Sequence, residues 1–511
     1  MAKGRGGLLG VVVAMAGLAG GIPGVAEAWA QPAETAPAQP RRPRRTPPPA
    51  QPVPAPSPAP ADPAVPAVPA APSPAPTTSI SPTVAPARPA ARAPAREDPE
   101  LGPYLTLARP SDMTLTVRVV LNSDNAGMKQ RFRDPNTKRT VDMPKATPFE
   151  FTSLGVVFPM VPLTASSELD TRGYAGVLTV GDALVDDQVQ VLRGYPAGTQ
   201  LGRWDAGNGK DRITTRNVEL TVTMPMRCSQ TVYDEPAALR VPWPSGAWPR
   251  EAASALEPQL YVELGVVEGK IAAYDDATVV KALEVWLKEA KVKGPREVPP
   301  AYLAKVLAAK VWGNVQPSGD GLAMKARTGE LAGIALQTPT ETLKKLRGSE
   351  HDMAVLLAAL YRKAGLPCRT VIGWDVGERN EDFLDNNPKQ NKLRTWVEFC
   401  LYDEERNVQN WVPVDVARLR GTSNRPPAQY DRPWRFFGTH DELDRVLPFA
   451  LHFHPPTDVV SYGSPGFWGW FVTPTAPDHA DQSLSFLGMQ TARGAGMPAA
   501  PEQPRRRGYG K

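Results

Sequence analysis

The stretch that decides the fold runs from Gly348 to Trp374 and reads GSEHDMAVLLAALYRKAGLPCRTVIGW. Apolar residues recur in its first half at the spacing of an amphipathic helix, which predicts a helix from Glu350 to Ala364. Gly365 is typical of a helix C-terminus, and Pro367 prevents the helix from continuing. The segment from Cys368 to Trp374 has the pattern of a buried strand.

The chain on both sides extends this pattern to an α+β fold. Two more strands are predicted after the first, from Thr395 to Tyr402 and from Trp411 to Val414. Before the helix, apolar and polar side chains alternate over residues 114–119, 188–191 and 218–224. This alternation predicts strands with one buried face, and a β-sandwich is the expected arrangement.

Two further segments complete a recognisable core. RTWVEFCLY (Arg394 to Tyr402) and NWVPVDV (Asn410 to Val416) follow the helix and first strand in order. Together with the opening stretch they resemble the core of the bacterial transglutaminase-like superfamily, which has a papain-like fold. The residues that match the family pattern are Gly348, Arg362, Gly365, Leu366, Pro367, Arg369, Gly373, Trp396, Val397, Glu398, Trp411, Val412 and Asp415. The resemblance implies a helix packed on an antiparallel sheet, and a β-sandwich ahead of such a core is common in the family.

The resemblance also locates the catalytic positions. In the family, a cysteine at the helix N-terminus is the nucleophile, a histidine takes its proton and an acid orients the histidine. By position the acid is Asp415, whereas Glu350 replaces the cysteine and Arg394 replaces the histidine. The resemblance therefore implies no catalytic residues here. Because an arginine between two carboxylates keeps the charges alternating, we expect Arg394 to bridge Glu350 and Asp415. Ser349 is expected to cap the helix, with Asp352 completing an approximate capping box.

Other reactive side chains near the helix leave alternatives open. Ser349 and His351 would supply a hydroxyl and an imidazole, but the third group of a serine hydrolase is missing. Cys368 and Cys400 lie on strands expected to pair, so they form either a disulfide or two free buried thiols, and free thiols are favoured. With Cys228 they are the three cysteines of the chain, and no CxxC spacing occurs. A disulfide scaffold and a cysteine zinc site are therefore excluded.

Histidines near the C-terminus provide the remaining metal-binding candidates. His452 and His454 lie on one side of an extended segment and would form half of a metal site. His440 and His479 are their nearest companions, but no acidic cluster accompanies them. Packing and turn roles are favoured, so we expect no metal site and no cofactor.

Composition divides the rest of the chain. Its 511 residues include 58 prolines and carry a net charge of +5. The basic excess lies in the ends, and the body between them is mildly acidic, which argues against a nucleic-acid-binding domain. The predicted segments are a signal peptide (1–30), a Pro/Ala-rich disordered linker (31–97), a β-sandwich domain (98–235), a transglutaminase-like domain (236–429), an aromatic-rich C-terminal wrap (430–478) and a disordered basic tail (479–511).

The signal peptide predicts where the protein is located, and the aromatic-rich wrap predicts how the C-terminal part packs. Lys3 and Arg5 precede an apolar run that begins at Leu8 and is too short to span a membrane. We expect an exported protein, located in the periplasm, in the cell envelope or outside the cell, with no transmembrane segment. For the aromatic wrap, which includes Trp434 and Trp468, buried packing is favoured over a carbohydrate-stacking platform.

The functional hypotheses follow from these features. The sequence favours a catalytically inactive binding or assembly module whose partner is a peptide, a protein or a cell-wall polymer. The alternative is an active cysteine-type transglutaminase, peptidase or amidase with relocated catalytic groups. A third hypothesis is an envelope-tethered structural protein in which the linker and basic arms carry the association.

Overall fold

The protein is described by a computed structural model. It covers residues 102–123, 129–133, 140–144, 148–193, 196–259, 262–267, 270–273, 276–324, 330–377, 393–422, 433–453, 467–474 and 481–490. The predicted signal peptide and linker lie outside these residues, as does the part of the predicted tail after residue 490.

The N-terminal half of the described chain is built from strands. They are β1 (Leu105–Asn122), β2 (Lys129–Arg133), β3 (Thr140–Pro144), β4 (Phe149–Phe151), β5 (Ser153–Met160), β6 (Ser167–Leu169), β7 (Ala175–Val180), β8 (Ala183–Asp186), β9 (Gln190–Leu192), β10 (Gln200–Ala206), β11 (Ile213–Thr215) and β12 (Asn217–Tyr233). β1 and β12 form a long antiparallel ladder, with Leu105 opposite Tyr233 and Asn122 opposite Asn217. Every second side chain of both strands is buried along most of this ladder, as the alternation predicts.

Helices and short strands follow. They are α1 (Glu235–Ala238), α2 (Arg250–Ser254), β13 (Leu264–Val267), β14 (Lys270–Ala273), α3 (Asp276–Glu289), α4 (Pro300–Asn314), β15 (Gln316–Pro317), β16 (Leu322–Met324), β17 (Leu331–Ile334), α5 (Pro339–Lys345), β18 (Arg347–Gly348), α6 (Glu350–Lys363), β19 (Cys368–Asp375), β20 (Leu393–Asp403), β21 (Val408–Val414), α7 (Val416–Thr422), β22 (Val446–Ala450), β23 (Gly469–Thr473) and β24 (Asp481–Gln490).

The central core is α6 packed on an antiparallel sheet with the strand order β21-β20-β19-β22. The α6 side chains from His351 to Arg362 are buried, so α6 is covered on nearly all sides. Its N-terminus has the predicted capping box, in which Ser349 and Asp352 each bond the other's backbone amide. Gly365 follows at φ 78°, a conformation that glycine adopts without strain. The α+β prediction is confirmed.

The observed sandwich differs from the predicted one because strands from the C-terminal part of the chain belong to its two sheets. β24 lies beside β1, with Phe486 opposite Val117, and its sheet has the order β16-β17-β24-β1-β12-β7-β8. β23 joins β5 in the second sheet, whose order is β23-β5-β10-β9. Residues 481–490 are therefore a strand, whereas the sequence analysis placed them in a disordered tail. A domain boundary at residue 235 also leaves out four strands of the two sheets.

The aromatic wrap packs into the interior. Five of its rings are each at most 1% exposed and belong to the same buried cluster as the inward-facing side chains of the sandwich: Phe449, Phe453, Phe467, Trp468 and Trp470. Rings this deeply buried present no face to a ligand, so the structure favours packing over a carbohydrate platform.

Buried ion pairs join segments that are distant in sequence. Lys305 on α4 pairs with Glu235 on α1, and both are almost fully buried. Arg369 on β19 pairs with Glu398 on β20 at 2.7 Å, and Glu398 also accepts a hydrogen bond from the Ala165 amide of the sandwich. These contacts fix the sandwich against the core. Among the described helices, none is long and apolar enough to cross a membrane.

Candidate functional site

The three family positions meet at the N-terminal end of α6. Glu350 is the first residue of the helix, and Arg394 lies near the start of β20, opposite Gly373 of β19. Asp415 follows directly after β21. The helix therefore presents a carboxylate at its N-terminus.

Arg394 connects Glu350 to a carboxylate that the sequence analysis did not identify. Its Nη1 lies 3.6 Å from Glu350 Oε2, and its Nε donates a hydrogen bond to Asp375 Oδ2 at 3.1 Å. The expected ion pair with Glu350 is present. The expected contact with Asp415 is absent from the described contacts, and Asp375 takes its place.

Several hydrogen-bond donors and positively charged groups surround Asp375 at the end of β19. Arg418 Nη2 and Arg445 Nε lie 3.5 and 3.6 Å from its carboxylate, and the Gly377 amide donates to it at 2.9 Å. Burial alone would lower the pKa of Arg394, but the carboxylates of Glu350 and Asp375 raise it above its ordinary value. The guanidinium is therefore a permanent positive charge at the site.

Asp415 is paired with a histidine that the family motif does not contain. His440 Nε2 lies 3.5 Å from Asp415 Oδ2, and both side chains are almost fully buried. The Glu442 amide donates to His440 Nδ1 at 3.4 Å, which places the ring proton on Nε2, facing Asp415. Burial opposes ionisation of Asp415, but the hydrogen bonds from His440 and from the Arg418 amide lower its pKa.

The sequence analysis considered His440 as a metal ligand or as a packing or turn residue, and not as the partner of Asp415. It lies 25 residues after Asp415 and is brought back by a bridge to Thr231 of β12, so no local spacing indicates the pair. The sequence indicated the pair only indirectly: Asp415 was expected to be buried without the histidine of the family pattern, and a buried acid needs another partner.

The pKa of the Glu350 carboxyl is unusually high. Its side chain is 18% exposed, and its Oε1 atom has no hydrogen-bond partner among the residues described. Burial raises the pKa of this carboxyl to about 7; Arg394 opposes the shift and Asp415 adds to it. Near neutral pH the group is therefore divided between its protonated and ionised forms.

Glu350 faces a cleft of about 500 Å³. The other lining residues are Gln316, Pro317, Gly319, Asp320, Met353, Ala417, Arg420 and Gly421. Arg420 is held in the wall, since it donates to the Trp312 carbonyl and to Gln316 and stacks on the Trp312 ring at 4.5 Å. The site is thus an open cleft of ligand size with a carboxyl group in its wall.

No thiol takes part in this cleft. Cys228, Cys368 and Cys400 are free and each 0% exposed. Burial raises the pKa of Cys368 to about 12, despite the lowering effect of Arg362, and raises that of the other two thiols further. The alternative of a Cys368–Cys400 disulfide is not what the structure shows, and the thiolate needed for nucleophilic attack is suppressed at all three positions.

The hydroxyl and imidazole groups beside Glu350 are engaged elsewhere. The Ser349 hydroxyl bonds Asp352 at 3.0 Å, and His351 Nδ1 bonds the Thr395 hydroxyl at 2.7 Å. His351 is fully buried, and burial lowers its pKa to about 4. In the described part of the chain no hydrogen bond joins Ser349 to His351, so the structure does not assemble the relocated Ser/His pair.

His452, the main candidate ligand of the metal-binding alternative, is buried in the core. His452 Nδ1 lies 2.6 Å from Gln259 Nε2 inside the core, and burial lowers the His452 pKa to about 3. His454 and His479 lie outside the described residues. Within those residues, no group of three or more His, Cys, Asp or Glu side chains is placed to hold a metal ion.

Helix α6 packs on an antiparallel sheet, and an acid–cation–acid row formed by Glu350, Arg394 and Asp375 lies at the helix N-terminus. Residues 329–416 match the transglutaminase-like superfamily, a segment that includes Glu350, Arg394 and Asp415. This segment is a transglutaminase-like core. No curated protein sequence matches the chain significantly.

Solved structures with a related chain path include two bacterial proteins and one from a fish. A candidate cysteine protease from Cytophaga hutchinsonii is 12% identical with a TM-score of 0.40, over 76% of this chain and 92% of that one. The periplasmic domain of TgpA from Pseudomonas aeruginosa is 15% identical with a TM-score of 0.23, over 62% and 94%. Red sea bream transglutaminase is 14% identical with a TM-score of 0.20, over 51% and 48%.

Proposed function

We propose that this chain is an exported binding or assembly module that holds a ligand in the cleft at the N-terminus of α6 and does not catalyse a reaction on it. The single observation that carries the proposal is the side chain at the helix N-terminus. Glu350 is a carboxylate paired with Arg394, and a thiolate–imidazolium pair cannot form from these two residues.

The reaction of the family needs a nucleophile and a proton carrier in contact. Arg394 keeps its proton and cannot shuttle it. His440 bonds Asp415, and no contact in the described structure links it to Glu350. The cysteine-type alternative would need one of three thiols that are fully buried. These features support binding over cysteine catalysis.

The chemistry of the cleft selects ligands that donate hydrogen bonds. Glu350 Oε1 has no hydrogen-bond partner among the described residues, and Asp320 adds a second carboxylate to the wall. Arg420 is committed to Trp312 and Gln316. An amine or amide group of a peptide, a protein or the peptide part of a cell-wall polymer meets these requirements.

The location outside the cytoplasm rests on the sequence. A basic start, an apolar run and small residues form the pattern of a secretory signal in residues 1–30. Residues 31–97 then supply a Pro/Ala-rich spacer between that signal and the described body.

A second candidate function is acid–base catalysis by Glu350. It is favoured by one observation, the pKa of about 7 that burial gives this carboxyl, because a group titrating near the working pH transfers protons efficiently. It differs from the binding proposal in one measurable respect, since it predicts turnover of the bound molecule.

The test uses peptides and disaccharide–peptide fragments of peptidoglycan as probes. Binding is followed by ligand-observed NMR, and product formation by mass spectrometry. Gly421→Trp should abolish binding, because Gly421 lines the cleft and a Cβ there meets no atom within 4 Å. Gly313→Trp is the matched control, a helical glycine with equally open surroundings that does not line the cleft.

Binding without product, lost in Gly421→Trp and kept in Gly313→Trp, supports the proposal. Product formed by the native protein and lost in Glu350→Gln would establish acid–base catalysis in its place. Probe binding that survives Gly421→Trp would overturn the assignment of the cleft.

A further inference from the structure

A second cavity lies where the sandwich meets the transglutaminase-like core. Its volume is about 430 Å³, within the range of small-molecule sites. Its walls come from β1, β12, the loop leading into β6 and the start of β21. The lining residues are Leu105, Thr106, Leu107, Pro110, Leu163, Thr164, Ala165, Ser166, Ser167, Glu168, Arg227, Ser229, Gln409, Asn410 and Trp411. None of them lines the cleft at Glu350.

Two polar atoms in this wall lack partners among the described residues. The Ser166 hydroxyl belongs to a residue that is 1% exposed, and it makes no hydrogen bond to any residue that the structure describes. The Gln409 Oε1 atom is also buried, with no partner in the described part of the chain. The Gln409 amide group is oriented by Glu251, which accepts a hydrogen bond from Nε2 at 3.1 Å and so leaves the oxygen as the free atom.

These two atoms define what a ligand must provide. Gln409 Oε1 only accepts, whereas the Ser166 hydroxyl either donates or accepts. A hydroxyl-bearing ligand satisfies both, because each of its hydroxyl groups donates and accepts. Buried polar atoms are stable when they are hydrogen-bonded, so such a ligand would gain affinity at both positions.

The charges of the wall favour a neutral ligand. Arg227 is balanced by Asp112, whose Oδ1 lies 3.3 Å from Arg227 Nε. Glu168 is the other charged lining residue, and it is engaged by a partner as well. The remaining polar lining groups are serine, threonine, asparagine and glutamine side chains. An anionic or cationic ligand would therefore find no dedicated counter-charge.

The remaining wall is apolar and rigid. Trp411 is held by Arg369, whose guanidinium lies 4.3 Å from the ring centre and is itself fixed by Glu398. Leu105 and Leu163 add apolar surface, and Leu163 is 44% exposed. A sugar ring, with hydroxyls on its edge and C–H groups on its faces, matches a wall of this kind.

An extended peptide fits less well. Strand addition requires unpaired backbone amides. Where β12 crosses the cavity, from Met226 to Cys228, its backbone is paired with β1 on one side and β6 on the other. Recognition here rests on side chains.

We propose that the cavity between the sandwich and the core binds a neutral sugar, with its hydroxyls bonded to Ser166 and Gln409 and its apolar face on the exposed side chain of Leu163. The site is independent of the cleft at Glu350.

The test titrates glucose, galactose, mannose and N-acetylglucosamine at millimolar concentrations into the native chain and observes each sugar by saturation-transfer NMR. Thr106→Trp places a large ring at an exposed position of the wall, and Ser166→Ala removes the hydroxyl without adding any atom. Each should weaken binding by about tenfold or more. Val177→Trp, at a 41% exposed position of β7, and Gly421→Trp in the other cleft are the controls that should keep it.

Saturation transfer to at least one sugar, lost in the two cavity variants and kept in the two controls, supports the proposal. Absence of transfer to all four sugars overturns it. Transfer unchanged by Thr106→Trp and Ser166→Ala also overturns it, as does displacement of the sugar by neutral dipeptides that bind more tightly. Because Gly421→Trp is a control here and the decisive variant for the other cleft, the two proposals fail separately.

Discussion

Arg394 donates a hydrogen bond to Asp375 at 3.1 Å, and this contact decides the charge arrangement of the whole site. With Arg394 directed to Asp375 and Glu350, Asp415 takes His440 as its partner. The single row expected from the family positions is thus divided in two. One part is Glu350–Arg394–Asp375, and the other is Asp415–His440.

The raised pKa of Glu350 predicts a specific pH dependence of stability. The native carboxyl holds its proton up to about pH 7, whereas its ordinary pKa is 4.5. Between these values the native state binds more protons than the unfolded state, so the free energy of unfolding falls as pH rises, and it levels off above pH 7. The contribution is about 3–4 kcal/mol at most, since one pKa unit corresponds to about 1.4 kcal/mol and the pKa is raised from 4.5 to about 7.

Glu350→Gln removes this ionisation and should gain stability relative to the native chain as pH rises from 4.5 to 7. Urea unfolding at several pH values measures the difference. Glu289→Gln, at a 53% exposed side chain on α3, is the control, and its difference from the native chain should stay within about 1 kcal/mol. A flat difference for Glu350→Gln as well would show that the carboxyl titrates normally.

Arg394 should contribute measurably to stability. Arg394→Ala leaves Glu350 without its cation, while Asp375 keeps Arg418 and Arg445. We expect a loss of about 1–3 kcal/mol, below the ~3–5 kcal/mol of a fully buried pair, because the Arg394 side chain is 20% exposed. Chemical denaturation at pH 8, where Glu350 is ionised, gives the value.

The comparison for that variant is Arg435→Ala, which breaks pairs with Asp441 and Glu442 at a 52% exposed side chain and should cost under about 1 kcal/mol. Equal effects of the two substitutions would mean that the Arg394 ion pairs are screened like those of the surface.

Local signals explain what the sequence could predict. The apolar stripe, Ser349 with Asp352 and Gly365 all act within α6 or next to it, so the helix and its caps follow from spacing alone. The strand after it is predicted from Cys368 to Trp374 and observed from Cys368 to Asp375. Family spacing placed Glu350, Arg394 and Asp415 at one end of this unit.

The predictions that were wrong concern contacts between segments that are distant in sequence. Whether Arg394 meets Asp375 or Asp415 is decided by the direction of its side chain across the sheet, which residue order does not contain. β24 did carry a local signal, since Leu484 and Phe486 are two residues apart and both are buried. The prolines, glycines and arginines farther along the tail concealed it.

A thiol restored at the helix N-terminus should react slowly at pH 7. In Glu350→Cys the new side chain would lie in the cleft beside Arg394, but the burial that raises the pKa of the Glu350 carboxyl to about 7 opposes a thiolate as well, despite the guanidinium and the helix dipole. We expect alkylation by iodoacetamide at pH 7 no faster than in Gly421→Cys, which lines the same cleft away from that helix terminus. The native chain should remain unlabelled until unfolded, because its three cysteines are fully buried. Alkylation about tenfold faster in Glu350→Cys would show that the position still activates a nucleophile.

Strand β24 should be required for folding of the sandwich. Ending the chain after residue 480 removes the strand that lies between β1 and β17, together with the buried side chains of Leu484 and Phe486. Loss of these two side chains alone corresponds to about 5 kcal/mol or more, and β1 would also lose its hydrogen-bond partner from Met113 to Asn122. A chain ending after Gln490 is the control and should keep the native unfolding midpoint, since it retains every residue of the strand. Circular dichroism and thermal unfolding of the two truncated chains provide the measurement. If the shorter chain unfolded at the same temperature as the longer one, residues 481–490 would be a dispensable tail, as the sequence alone had indicated, and the pairing of β24 with β1 would not stabilise the protein.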